Sequence, residues 1–241
     1  MIKIDNLSVD LGGKPIVENI SVTIQNNCNT MLVGKSGSGK SVLMKAAIGL
    51  FPAKQGEIHI DGQLINKLKQ RELSKIRTNI GYLFQNAALF DSMNVYQNVA
   101  FPLFEHKKYS TEREIINKVK QTLEAVQLDD VMMKMPADLS GGMRKRVGLA
   151  RSIIMNPKYI IYDEPTTGLD PVTGSEIIDL IGSLQKELQM TSIVITHDIE
   201  CVERLAEDII MLENRNLVFA GTYNDFKQSE LASVQQYLSF F

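Results

Sequence analysis

The sequence lacks a long apolar run, an apolar N-terminus, closely spaced cysteines and an excess of positive charge. These features are typical of membrane-spanning, secreted, metal-binding and non-specific nucleic-acid-binding proteins. No apolar run reaches the roughly 18 residues needed to span a bilayer, and Met1–Asp5 carries charges where a signal peptide would be apolar. The two cysteines, Cys28 and Cys201, lie far apart and match no metal-binding spacing, which favours a reducing compartment. A net charge of −2 argues against a non-specific nucleic-acid binder. We therefore expect a soluble, cytoplasmic protein with no nucleic-acid partner.

Repeats, low-complexity segments and Gly/Ser/Pro-rich linkers are also missing from the 241 residues. Short β-type runs instead alternate with helical patterns. Strands are predicted at 2–9, 20–24, 30–33, 57–60, 159–162 and 192–196. Strand 57–60 alternates and then turns, which predicts antiparallel pairing. Elsewhere, strands follow helices in turn along the chain, which predicts a parallel sheet covered by helices. A more helical subdomain is predicted as an insertion at about 70–155.

The sequence predicts the starts of three helices. One helix is predicted over 42–50, and Thr111 with Glu114 forms a capping box for a second. Asp170 can act as N-cap of a third, with Pro171 as its first residue. The apolar face predicted for this third helix consists of Ile177, Leu180, Ile181, Leu184 and Leu188.

The stretch 34–41 matches the phosphate-loop pattern G-x-x-x-x-G-K-S/T in full. Its residues are Gly34, Lys35, Ser36, Gly37, Ser38, Gly39, Lys40 and Ser41. The glycines let backbone N–H groups turn towards phosphates, Lys40 can reach the β- and γ-phosphates, and the Ser41 hydroxyl can bind Mg²⁺. The helix N-terminus that follows, at Val42, favours anions. A flexible Gly/Ser turn is the alternative, but an apolar strand before and a helix after favour phosphate binding.

Two carboxylates, Asp163 and Glu164, end the apolar run 160–162. In a phosphate-loop protein the first would hold Mg²⁺ at the carboxyl end of a strand. The second is placed to polarise an attacking water. A strand that merely stops at charged residues is the alternative, and the phosphate loop argues against it.

A third element is the turn Ser140-Gly141-Gly142, which opens a basic helix. Such a turn predicts another anion site. The alternative is an N-cap followed by solvated charges on Arg144, Lys145, Arg146 and Arg151.

The order of these motifs resembles that of the ABC-type ATPases over nearly the whole chain. The matching elements are the phosphate loop 34–41, a glutamine loop at Gln85, a signature at 139–143, the acidic strand 159–164, a D-loop at 167–170 and a switch histidine, His197. The resemblance implies an α/β P-loop NTPase fold with a RecA-like mixed, mainly parallel sheet. The resemblance further implies that this core and an antiparallel β subdomain together occupy about 1–85 and 156–225. An inserted α-helical subdomain is implied at about 86–155 and a tail at about 226–241.

The same resemblance implies what each motif does. Two copies pack head to tail, with ATP between the phosphate loop of one and the Ser140, Gly141 and Gly142 turn of the other, next to Asp170. Glu164 is implied as general base and His197 as a contact to the γ-phosphate. Mg²⁺ is assigned to Ser41, Gln85 and Asp163, and Gln85 also links the site to a partner.

Three stretches resemble one branch more closely, the ATPases of Mla/Mce-type lipid transporters. They are 85–103, 139–147 and 163–171, with Met143 and Gly168 at positions where most relatives have Gln and many have Ala. This branch implies phospholipid transport between inner and outer membranes. Its implied partners are a multi-spanning permease (MlaE-like), an Mce-domain protein (MlaD-like) and a small STAS-type protein (MlaB-like), with the ATPase peripheral on the cytoplasmic face of the inner membrane.

Residues 82–104 hold six of the 16 aromatic residues, which favours a groove for a partner helix, although about half of the six are expected in the core. They are Tyr82, Phe84, Phe90, Tyr96, Phe101 and Phe104. Leu11 stands where many relatives stack an aromatic ring on adenine, so weaker base stacking is expected. The apolar tail 229–241 is expected either to contact the other ATPase subunit or to dock on its own domain.

Other classes of protein fit the sequence less well. A transporter ATPase for an amino acid or a lipoprotein is the closest alternative. A chromosome-acting ABC protein would need a long coiled coil between Lys40 and Ser140, where no heptads occur, and ribosome-acting types usually fuse two units. A GTPase would normally carry Asn-Lys-x-Asp, which is missing.

Overall fold

The computed structural model describes residues 1–106 and 111–239. The chain divides into two compact units, the first formed by Met1–Arg77 with Thr191–Phe241 and the second by Thr78–Met190. Among the described residues, no helix combines the length and apolarity needed to cross a membrane.

The first unit contains a four-stranded antiparallel sheet and a group of mainly parallel strands. Its strands are β1 (Ile2–Leu11), β2 (Lys14–Ile24), β3 (Asn29–Val33), β4 (Gln55–Ile60), β5 (Gln63–Leu64), β8 (Thr191–Ile195), β9 (Asp208–Glu213) and β10 (Asn216–Thr222). The antiparallel sheet has the order β2-β1-β4-β5, with Ile4 opposite Ile58 in the register. The prediction of an antiparallel strand at 57–60 is therefore confirmed.

Parallel pairing in the first unit centres on β3. This strand pairs in parallel with β8 and with β9, and β10 adds an antiparallel edge on β9. All five residues of β3 and all five of β8 are buried. Such continuous burial is typical of parallel strands that are covered on both faces. The helices of this unit are α1 (Lys40–Ala47), α2 (Gln70–Arg77), α7 (Ile199–Leu205), α8 (Tyr223–Gln228) and α9 (Ala232–Leu238).

The helix predicted over 42–50 is shorter and begins earlier than the pattern suggested. It ends at Ala47 because Gly49 adopts a positive φ of 70° and its N–H donates to the Ala46 carbonyl at 2.8 Å. Left-handed glycines of this kind commonly terminate helices.

The second unit is mostly helical and holds one parallel pair of strands. Its described elements are β6 (Ile80–Leu83), α3 (Val95–Glu105), α4 (Glu112–Ala125), a 3₁₀ helix (Pro136–Asp138), α5 (Gly141–Ile153), β7 (Tyr159–Asp163) and α6 (Pro171–Leu188). Strands β6 and β7 pair in parallel, with Leu83 opposite Tyr162. The mixed sheets and the helical block are those of the expected α/β fold.

Two predicted helix starts in the second unit are confirmed. The Thr111–Glu114 capping box has both of its reciprocal hydrogen bonds. Asp170 caps α6 by accepting from the Thr173 N–H at 3.1 Å, and Pro171 is the first helical residue.

The predicted apolar face of α6 is correct for four of its five residues. Ile177, Leu180, Ile181 and Leu184 are at most 1% exposed, but Leu188 is 43% exposed. Leu188 is the last residue of the helix, and Gln189 then turns the chain away through the left-handed region with φ 49°. The stripe predicted from periodicity therefore ends one turn before the helix does.

The tail docks on its own unit as far as residue 239. The Phe226 ring stacks edge-on against Phe219 and Tyr237, with centroids 5.1 and 5.8 Å apart, and Phe226 and Val234 are fully buried. The predicted apolar residues Phe240 and Phe241 lie outside the described residues.

Candidate functional site

The phosphate loop leaves the carboxyl end of β3 and leads directly into α1. A Cβ atom at Gly34 would lie 2.1 Å from the Leu212 carbonyl oxygen, and Gly34 has φ 138°. A Cβ atom at Gly39 would lie 2.7 Å from the Ile16 carbonyl oxygen, at φ 99°. No side chain larger than glycine fits these two positions, because the obstacles are backbone atoms.

Lys40 is buried beneath the loop, with 7% of its surface exposed. Its ammonium group donates to the Gly34 carbonyl at 2.7 Å and to the Lys35 carbonyl at 3.1 Å. Helix α1 begins without a side-chain cap and has no acidic residue in its first turn. The N-terminus of α1, where Ser41 and Val42 lie, therefore suits an anion.

The first unit also holds Lys35 of the phosphate loop and the predicted switch histidine, His197. Lys35 pairs with Glu213 at the end of β9, at 3.3 Å. A hydrogen bond from Ser233, and then Lys35, lowers the pKa of Glu213.

His197 is exposed and follows β8. Because β3 and β8 run parallel, their carboxyl ends share one edge, which places the phosphate loop and His197 at that edge.

The second unit brings the acidic pair and the glutamine loop to one edge. Asp163 ends β7 and is buried, whereas Gln85 follows β6 and is exposed. The Tyr82 hydroxyl donates to Asp163 Oδ2 at 2.9 Å. Burial, and then the charge of Asp163, raises the pKa of Tyr82, so Tyr82 stays a neutral donor that orients the carboxylate.

Glu164 has an unusual backbone for a residue with a side chain. Its φ is 53°, in the left-handed region that non-glycine residues enter at a cost. The Thr167 hydroxyl donates to Glu164 Oε2 at 3.3 Å. Glu164 is half-buried, and this hydrogen bond holds one of its carboxylate oxygens, an arrangement compatible with a group that accepts a proton from water.

The signature turn and the D-loop lie against each other through the first turns of α5 and α6. Ser140 caps α5 by accepting from the Met143 N–H at 3.2 Å. A Cβ atom at Gly142 would lie 2.5 Å from Thr173 Cγ2, so Gly142 allows this close approach. Hydrogen bonds from Thr173 lower the pKa of Asp170, which keeps this exposed carboxylate ionised.

Most basic side chains of α5 are not solvated charges, which corrects that interpretation for Lys145, Arg146 and Arg151. Arg144 is exposed, as a solvated charge would be. Lys145 and Arg146 are 5% and 8% exposed. Arg144 donates to the Leu139 carbonyl at 2.7 Å, and Arg146 pairs with Glu176 at 3.0 Å. These contacts hold the helix to its surroundings, and the anion site at the N-terminus of α5 stays a prediction.

Lys145 is the site residue that sequence reasoning missed. Its ammonium group donates to the Gln85 carbonyl at 2.5 Å and to the Glu164 carbonyl at 3.0 Å. Burial lowers its pKa to about 8, against the opposing charges of Glu164 and Asp163. The basic run in the sequence contains no cue that distinguishes Lys145 from its neighbours.

None of the six aromatic residues between 82 and 104 is fully buried, so the expectation that about half lie in the core is wrong. Phe84, Phe90 and Phe104 are 36%, 42% and 47% exposed. They stack in pairs, for example Phe90 on Phe101 with centroids 5.0 Å apart. We call these six residues the aromatic surface. In each ring pair one ring is exposed and the other is half-buried.

Comparison with known proteins identifies the family. Residues 17–167 match the model of the ABC transporter family. The chain is 40% identical over 99% of its length to the probable ribonucleotide transport ATP-binding protein mkl of Mycobacterium tuberculosis, of which it spans 66%. It is 39% identical over 99% of its length to the intermembrane phospholipid transport system ATP-binding protein MlaF of Haemophilus influenzae, of which it spans 90%.

Two further comparisons extend this result. The chain is 34% identical over 99% of its length to the methionine import ATP-binding protein MetN of Campylobacter jejuni, spanning 75% of it. The dimeric ATP-binding cassette MJ0796 in a post-hydrolysis state with ADP and Pi matches with a TM-score of 0.84 and 31% identity, over 92% of this chain and 98% of that one. The chain therefore belongs to the ABC transporter family of ATP-binding proteins, the class of ABC-type ATPases.

Proposed function

We propose that the chain is the ATP-hydrolysing subunit of a transporter that moves phospholipid between inner and outer membranes. The observation that carries this proposal is the 39% identity, over 99% of the chain, to a protein named for intermembrane phospholipid transport. A phosphate loop with two glycines that no other residue can replace supports the nucleotide part of the proposal.

In this proposal the phosphates of ATP bind the loop Gly34–Ser41 and the N-terminus of α1 at Val42. Lys40 leaves the carbonyls it now contacts and neutralises phosphate charge. The Ser140, Gly141 and Gly142 turn of a second copy completes the site, with Asp170 beside it. A head-to-tail homodimer is therefore part of the proposal, and the dimeric MJ0796 cassette supports it.

Hydrolysis is assigned to three side chains. Glu164 accepts the proton of the attacking water, His197 contacts the γ-phosphate, and Gln85 senses the occupied site. We propose Ser41, Asp163 and Gln85 as the residues that would hold Mg²⁺, on the ground that their oxygens are the kind of donor this ion takes. When bound, the ion would neutralise charge on the β- and γ-phosphates. Tyr82 fixes the Asp163 carboxylate in advance.

The aromatic surface is proposed as the docking site of a multi-spanning permease. Aromatic residues are enriched at protein interfaces, three rings of this surface are exposed, and the glutamine loop begins directly beside Phe84. We further propose an Mce-domain protein and a small STAS-type protein as additional partners, and a position on the cytoplasmic face of the inner membrane. Dimer closure on ATP would shift the permease between two conformations, because the closed ATPase dimer would bind one conformation more tightly than the other.

A second candidate is an ATPase that serves a transporter of another substrate. The 40% identity to a probable ribonucleotide transport protein and the 34% identity to a methionine import protein support it, and the site residues would have the same roles. Only the partner distinguishes the two candidates, since the residues that bind nucleotide do not touch the cargo.

Replacing Phe104 by Ser tests the docking surface. Phe104 is 47% exposed at the end of α3 and packs edge-on against Tyr96. We therefore expect the thermal unfolding midpoint of the isolated chain to fall by only a few degrees and its ATPase rate to be unchanged. Loss of a hot-spot ring costs about 2 kcal/mol or more, so permease recovered by co-purification should fall roughly 30-fold. Ile116→Ser is the matched control, since Ile116 is 40% exposed on α4. Equal permease recovery with both variants would contradict the assignment.

A further inference from the structure

A buried cation of α5 joins the two catalytic segments of the second unit. The Lys145 ammonium group donates to the carbonyl of Gln85 and to that of Glu164, at 2.5 and 3.0 Å. These two residues are 79 positions apart in the sequence (164 minus 85). One side chain therefore holds the peptide that follows β6 and the peptide that follows β7.

The segment that contains Glu164 needs such support. Glu164 lies in the left-handed region with φ 53°, a conformation that persists only when surrounding contacts hold it. The Glu164 carbonyl accepts from the Lys145 ammonium group and, at 3.4 Å, from the Thr167 N–H. The contact from Lys145 is the shorter of the two and is charged, and charge-assisted hydrogen bonds are the stronger kind.

The glutamine loop is attached to the same helix at a second point. Ala87 and Ala88 are also left-handed, with φ 57° and 47°. The Arg151 guanidinium donates to both of their carbonyls, at 2.7 and 2.9 Å. A Cβ atom at Gly148, between the two cations, would lie 2.9 Å from Ala87 Cβ, so α5 packs on the loop without a gap.

We propose that Lys145 is a positioning residue that fixes the backbone of Gln85 and of Glu164 relative to each other, so that movement of the glutamine loop is transmitted to the general base. Lys145 acts through these carbonyls, and no contact with ATP is assigned to it. Arg151 contacts the loop and, at 3.4 Å, the Asn98 side chain of α3, and no role at Glu164 is assigned to it, so it serves as the comparison. The inference rests on the proposed roles of Gln85 and Glu164.

The test compares Lys145→Met with the wild-type full-length chain. We expect kcat for ATP to fall about 10- to 100-fold, since displacement of a catalytic group by about 1 Å can cost that much. The Kd for ATP should stay within about two-fold, because the phosphate loop is unchanged. Lys118→Met is the matched control, since Lys118 donates to the Asn156 side-chain oxygen at 3.0 Å, on α4. That variant should retain wild-type kcat.

Amide hydrogen exchange separates positioning from a general loss of stability. Lys145→Met should increase exchange in 84–88 and in 163–167 together and leave 29–41 unchanged. Arg151→Met should increase it in 84–88 and near Asn98, and leave 163–167 unchanged. If Lys145→Met does not fold, Lys145→Gln, which keeps amide donors but is shorter, is expected to give the same pattern.

Two results would overturn the inference. One is a folded Lys145→Met variant with kcat within about two-fold of wild type, against the loss expected for misplacement. The other is increased exchange throughout the unit instead of in the two segments. If the wild-type chain itself hydrolyses no ATP, the proposed function fails, and the exchange pattern still decides whether Lys145 links the segments.

Discussion

Glu164→Gln is expected to bind ATP and to lower kcat by about 100-fold or more, the usual contribution of a general base. Glutamine has nearly the shape of glutamate, so the binding site is preserved. Its neutral amide cannot accept the proton of the attacking water. Steady-state hydrolysis by the assembled transporter, together with a nucleotide binding isotherm, measures the two effects separately.

The surroundings of Glu164 make this substitution conservative. The Thr167 hydroxyl, 3.3 Å from Glu164 Oε2, can also donate to an amide oxygen, and the backbone tie from Lys145 does not involve the side chain. Glu187→Gln, an exposed carboxylate on α6 of the same unit, controls for the loss of one charge and should keep full activity. Near-normal turnover by Glu164→Gln would refute its role.

Lys40→Ala is expected to weaken ATP binding itself by about 10- to 100-fold, the range for loss of a charged hydrogen-bond donor. The buried ammonium group both ties the loop through Gly34 and Lys35 and supplies the positive charge for the phosphates. Calorimetric titration with Mg-ATP gives the dissociation constant directly.

A control for the Lys40 experiment lies on the same helix. Lys45 is in the last turn of α1, away from the loop, so Lys45→Ala removes an equal charge without touching the phosphate site. Its ATP affinity should remain that of the wild type. An unchanged dissociation constant for Lys40→Ala would show that the phosphates bind elsewhere.

The elements that could be predicted are those with a local physical cause. The buried strand before the phosphate loop, the loop glycines and the Asp170 cap each depend on residues within a few positions of one another. The antiparallel strand at 57–60 followed from simple alternation. For these features the sequence pattern and the structure agree.

The features that could not be predicted depend on which distant segments meet. The basic residues of α5 look solvated in the sequence, but Lys145 is buried because the carbonyls of Gln85 and Glu164 lie beside it. The contact of Tyr82 with Asp163 requires the register of β6 on β7. About half of the six residues of the aromatic surface were expected in the core. Their pairing could not be predicted, because contacts between rings on neighbouring elements leave no local sequence pattern.

The measurement that tests the central claim most directly is affinity purification of the tagged chain from gently solubilised native membranes, with co-purified proteins and lipids identified by mass spectrometry. The account predicts a multi-spanning permease together with an Mce-domain protein, and enriched phospholipid. A permease that arrives instead with a solute-binding protein, or no membrane protein at all, would contradict phospholipid transport and leave the family assignment in place.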